Sequence, residues 1–178
     1  AARRAIALCP LKSGHHLILA LLLDALGDEE GAIAAARRSV EVGPNHPRAF
    51  ANLARLLMKA GQTDEAMQVY RQLERIYNSP VGKYQAITQT SDYAYAEAWV
   101  ALGQEALRGG DRRRAADYFE RAATLAGQYA AEARAQESML RQIGAWDEMR
   151  VLDAERLAAE ANLLLARARE AEGEHSAH

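Results

Sequence analysis

Cysteine, proline and aromatic residues are all scarce in this 178-residue chain, which has 1 Cys, 4 Pro and 6% Phe, Trp and Tyr. The single cysteine, Cys9, excludes an intrachain disulfide, and a small half-buried residue is the role expected of it. Few aromatics and few prolines beside abundant alanine disfavour sheet and favour closely packed helices. An excess of charge is lacking too. The formal net charge is −2, which removes the global basicity that nucleic acid or an anionic membrane would call for. The longest apolar run, "LILALLLDAL" from Leu17, is broken by Asp24 and stops short of the roughly 20 residues a bilayer span needs, so no membrane insertion is expected.

Catalytic and metal-binding patterns are equally sparse. No strand is evident, so no glycine-rich phosphate loop follows one, and the acids of "GDEEGA" lack the spacing of a calcium loop. His15 and His16 are adjacent, about 100° apart on a helix, and cannot both reach one metal. His46 sits at a turn between prolines, and His175 and His178 fall in the tail. The chain therefore reads as a non-enzyme with no metal and no cofactor. Its basic residues are 19 Arg against 3 Lys, a usage that GC-rich codons produce and that predicts a bacterial gene. It lacks an initiator Met, and "AARRAIALCP" looks like the end of a helix, so a piece of something longer is expected.

What is abundant is self-similarity. Aligned on glycine, the sequence gives Gly27, Gly61, Gly110 and Gly144, at intervals of 34, 49 and 34 residues. Five residues after each come Ala32, Ala66, Ala115 and Met149, and four further on Ala36, Tyr70, Phe119 and Asp153. Eight before each come Leu19, Leu53, Leu102 and Gln136. Apolar positions recur at three or four residues on both sides of each glycine, the pattern of two amphipathic helices joined by a short turn. Pro10 and Pro44, continued by Asn78 and Gly127, mark where one pair stops and the next begins. A helix pair cannot bury its apolar face alone, so stacked copies must share a core, and the pattern recurs because the stacking surface does. Thr63 and Ser91 are the expected helix caps.

These positions resemble the tetratricopeptide repeat (TPR), most closely in residues 96–122, which supply Trp99, Leu102, Gly103, Gly110, Ala115, Phe119 and Ala122. The resemblance implies an all-α superhelix of stacked antiparallel helix pairs, ending in a C-terminal capping helix. One domain over 1–178 is expected: 1–12 the end of a preceding repeat, 13–46 and 47–80 the first two repeats, 81–95 an insert. A third repeat at 96–129, a degenerate fourth at 130–160, and a capping helix and tail at 161–178 complete it. Gln136, Glu137 and Asp153 depart from the family pattern in the fourth copy.

By the same resemblance the first helix of each unit lines a concave groove. Its side chains are then Leu17, Ile18 and Leu21 in the first unit, and Arg48, Asn52, Arg55 and Lys59 in the second. The third contributes Gln104 and Arg108, and the fourth Arg134, Ser138 and Arg141. An apolar end and a basic middle suit an acidic or C-terminal peptide segment, because arginine holds a carboxylate in a bidentate fork. Only Asn52 fits the pattern of the TPR subclass that clamps chaperone C-termini, which excludes that subclass. In the insert, Tyr84, Tyr93 and Tyr95 either anchor a partner or plug the gap the insertion opens. Leu163, Leu164 and Leu165 point in three directions, so the last helix either caps the array with one leucine exposed or seats a second copy in a homodimer.

The leading expectation is a non-catalytic protein-interaction scaffold in the bacterial cytoplasm or periplasm. The stretch "SPVGKYQAI" followed by "AYAEAWVALGQ" is similar to soluble TPR tails of bacterial O-antigen ligase-like or polymerase-like envelope proteins. That gives one alternative, an accessory domain tethered to a membrane enzyme; a self-assembling structural module is the other.

Overall fold

The protein is described by a computed structural model over residues 12–80, 94–144 and 148–175, and among these residues there are helices and no strand. Cys9, Tyr84, Tyr93, the cap expected at Ser91 and most of the insert lie outside the described residues. The chain divides into two compact units, Ala1–Tyr84 and Gln85–His178.

Among the described residues the first unit holds two helix pairs: α1 (Ser13–Ala25) with α2 (Glu29–Val42), and α3 (Pro47–Lys59) with α4 (Thr63–Asn78). Each pair turns on a glycine in the left-handed region, Gly27 at φ 78° and Gly61 at φ 74°, a conformation other residues adopt only with strain. In both turns the next N–H reaches back to a helix carbonyl, Asp28 to Leu23 at 2.9 Å and Gln62 to Leu57 at 2.9 Å. Asp28 then caps α2 by accepting from the Gly31 N–H at 2.9 Å, and Pro47 opens α3 where its missing N–H costs nothing. Thr63 does not cap α4; it is the helix's first residue, and Gln62 precedes it without a side-chain cap.

Small residues let these helices approach. Ala20, Ala32, Ala36 and Ala66 are fully buried around Leu56 and Leu57. The junction between the pairs is tied by hydrogen bonds from three elements. Ser13 Oγ, at the start of α1, donates to the Ser39 carbonyl in α2 at 2.9 Å and lies 3.0 Å from Nδ1 of His46, which precedes α3. Ser39 Oγ returns a bond to the Ser13 carbonyl at 2.9 Å.

The described part of the second unit begins with the pair α5 (Ala94–Arg108) and α6 (Arg112–Ala135), turned at Gly110 with φ 81°; Asp111 caps α6 by accepting from the Arg114 N–H at 3.0 Å. Gly103 of α5 faces the fully buried ring of Phe119: a Cβ there would lie 2.5 Å from Cε1, so only glycine permits this approach. A short α7 (Glu137–Gln142) follows, then the 28-residue α8 (Glu148–His175).

Here the sequence expectation needs correction. The boundary expected between the third and fourth repeats falls inside α6, which continues through Gly127, and the one expected between fourth repeat and cap falls inside α8. A lone glycine costs a helix about 1 kcal/mol, too little to end one flanked by the alanine-rich "TLAGQYAAEARA". The helix lies antiparallel on α6: Leu165 and Ala168 meet Ala115 and Phe119 at one end, Val151 and Ala154 meet Ala130 at the other. It thus supplies one long covering helix where a degenerate pair and a cap are predicted. Leu165 is buried in that contact at 9% exposure while Leu163 stands 54% exposed, the arrangement of a capping helix with one leucine outside.

Candidate functional site

In the first unit the first-helix face is built by α1 and α3, which run in the same direction because each is followed by a return helix. From α1 it presents Ile18 and Leu21, both about half exposed, with Leu17 half-buried beside them. From α3 it presents Arg48, Asn52, Arg55 and Lys59, of which Asn52 is buried and the other three are exposed. The two helices are joined by a residue not predicted for this face. Asp24 of α1 accepts from Lys59 Nζ at 2.7 Å and from Arg55 at 3.1 Å. The Lys59 hydrogen bond, with help from Arg55, holds the Asp24 carboxyl below its usual range against the opposing effect of burial. The predicted basic middle is therefore partly neutralised from within.

Arg55 also donates to Asn52 Oδ1 at 2.9 Å, which fixes the amide's orientation. Its other end, Nδ2, is buried and has no hydrogen-bond partner among the described residues. Leu21 and Asn52 stand one turn back from Asp24 and Arg55 on their respective helices.

The predicted residues of the second unit behave differently. Gln104 is half-buried and Arg108 exposed on α5. Arg134 is taken up by α8: its guanidinium bonds Glu155 at 2.9 Å and Glu148 at 2.9 Å, and those two carboxylates raise its pKa. Arg141 is bound by Glu137 at 2.9 Å and lies 3.3 Å from Glu148. These two arginines hold helices together, so they are not the open cations that the register implies; Ser138 beside them is exposed. Tyr95 is only 4% exposed, which makes it a core residue of α5 and no surface anchor.

Asp24, Glu148 and Glu155 were missed because a repeat register assigns faces but not pairings. The one available signal was spacing: Asp24 precedes Arg55 and Lys59 by 31 and 35 residues, either side of one period. Among the described residues, no three His, Cys, Asp or Glu side chains gather as metal ligands, and no helix is long and apolar enough to cross a membrane.

Two models of the tetratricopeptide repeat match the sequence, one over residues 25–89 and one over residues 96–129. No curated protein matches it. Among solved structures, YrrB, described as a TPR protein with an unusual peptide-binding site, is similar over 96% of this chain and 98% of its own, at 13% identity and a TM-score of 0.53. The MamA protein is similar over 90% of this chain and 82% of its own, at 20% identity and a TM-score of 0.45. At such identities the YrrB likeness bears on the fold alone.

Proposed function

The chain belongs to the tetratricopeptide-repeat family of protein-interaction scaffolds, and from that premise we propose that its first-helix face in the first unit binds an extended segment of a protein. The observation that carries this reading is the pair Ile18 and Leu21, large apolar side chains about half exposed on a face that also bears the exposed Arg48, Arg55 and Lys59. Ile18 and Leu21 would take an apolar side chain of that segment. Arg55 and Lys59 would serve an acidic group in exchange for Asp24, so an acidic segment gains less than the bare count of cations suggests. A single such face supports an affinity on the order of micromolar, about −8 kcal/mol.

The test is affinity purification with the full chain, comparing the natural sequence with Leu21→Asp, Asn52→Ala and Arg55→Glu combined. Loss of the saturable partners, with helicity and melting temperature nearly unchanged, is the expected result. Retention of the same partners by the variant would remove this face from consideration, and the absence of any saturable partner for the natural chain would remove the reading itself.

A further inference from the structure

A second surface lies on the other helices of the first unit and is independent of the face just described. Between α2 and α4 runs a cleft of about 360 Å³. Its floor is apolar, made by Phe50 and Leu53 of α3 with Val40 and Val69 from the two walls. One end is closed by an ion pair across it, in which the two terminal guanidinium nitrogens of Arg37 bond the Glu65 carboxylate. That pairing holds Glu65 below its ordinary pKa and Arg37 above its own.

The other wall is a stripe of α4: Glu65, Gln68, Val69, Gln72 and Arg75, spaced at three and four residues so that all share one side of the helix. The charges are distributed unevenly along it. Arg37 is matched by Glu65, and Glu41 by Arg38 at 2.8 Å. Arg75 is exposed and makes no hydrogen bond or ion pair with any described residue. The exposed side-chain amides of Gln68 and Gln72, one turn apart, likewise have no partner among the described residues. Each amide offers a donor and an acceptor, which is what the N–H and C=O of an extended main chain require.

We infer that this cleft is a binding site for an extended peptide carrying an apolar side chain and, two or three residues away, a carboxylate. The apolar side chain sits over Val40, Leu53 and Val69, the main chain pairs with the Gln68 and Gln72 amides, and the carboxylate meets Arg75. The lengths agree. From Val69 to Arg75 the helix rises roughly 9 Å, and an extended chain covers that in about three residues. Charge complementarity selects this occupant, because the unmatched group on the rim is a cation and Glu65 and Glu41 are already engaged.

The experiment uses the full ¹⁵N-labelled chain titrated with the acetylated, amidated peptide Ser-Leu-Ser-Glu-Glu-Ser, and separately with its reversed sequence. Saturable shift changes centred on Val40, Gln68, Val69, Gln72 and Arg75 are expected for at least one direction. Binding should weaken about tenfold in Arg75→Gln, the loss of one charge-assisted contact, and by at least as much when the peptide leucine becomes serine. Val69→Trp, which fills the cleft while leaving Arg75 in place, should abolish the changes. The inference is overturned if neither peptide gives saturable changes, if the changes centre on Ile18, Leu21 and Asn52, or if Arg75→Gln binds as well as the natural chain.

Discussion

Replacing Gly103 by alanine sets two effects of known size against each other. Alanine is the better helix former by about 1 kcal/mol, and Gly103 lies well inside α5, so propensity alone favours the change. Against it stands the Phe119 ring: the new Cβ would sit 2.5 Å from Cε1 and 2.9 Å from both Cδ1 and Cζ. Three ring atoms are struck at once and the side chain is fully buried, so the ring cannot swing into solvent. Overpacking of this kind costs about 1–3 kcal/mol, and the geometry argues for the upper half of that range. The net expectation is a loss of about 1–2 kcal/mol, seen as a fall in melting temperature of roughly 2–8 °C by circular dichroism.

Gly127→Ala is the matched control, because that glycine also lies within a helix but a Cβ there meets nothing within 4 Å. It should stabilise by about 0.5–1 kcal/mol. In a Phe119→Leu background the penalty at Gly103 should shrink, a coupling of about 1–3 kcal/mol between the two sites. The reasoning fails if Gly103→Ala raises the melting temperature, or if it costs the same with and without the ring.

Leu165→Ala should cost about 2–3 kcal/mol by opening a cavity against Phe119, whereas Leu163→Ala, at an exposed position, should stay within about 0.5 kcal/mol; thermal melts of the two variants separate them. Asp28→Ala and Asp111→Ala each remove a helix cap and should each cost about 1 kcal/mol in a urea titration. Asp24 has a folded pKa below its unfolded value, so its contribution is present above about pH 4 and is lost as pH falls through the folded value. Asp24→Asn should therefore flatten the acid limb of the stability profile. At neutral pH its cost should be under about 1 kcal/mol, since both cationic partners are half exposed and screened.

The helix pairs were legible because each carries a local signature. Gly27, Gly61, Gly110 and Gly144, aligned from sequence, all adopt positive φ, so one steric requirement had written itself four times. The third-repeat residues Gly103 and Phe119 likewise meet as their places in the pattern imply. The end of the chain was misjudged where such punctuation thins out. Gly127 looked like a boundary, yet helix propensity around it outweighs one glycine, and nothing in residues 148–175 says which neighbour that helix will cover. For the candidate cations, availability was not readable in the sequence. Arg55 lies on the first helix α3, but Arg134 is at the end of the return helix α6 and Arg141 on α7, and whether a guanidinium is open depends on carboxylates such as Asp24, Glu148 and Glu155 brought in by other helices. The cleft over Phe50 and Leu53 of α3 escaped for a related reason: its walls are second helices, to which the family resemblance assigns no binding role.

The antiparallel contact of α8 with α6 also sets an order of events. The pairs α1–α2, α3–α4 and α5–α6 close across turns of a few residues, whereas Arg169 meets Glu120 across 49 residues. Loop closure of that length is slower and entropically costlier than closing a hairpin of helices. During synthesis from the N-terminus, the stripe from Ala115 to Ala130 emerges long before Leu165 and Ala168 arrive to cover it. The nascent second unit thus spends its early life with an apolar flank open to whatever else is nearby, for longer than the first unit, whose α1–α2 pair is covered as soon as α3 follows.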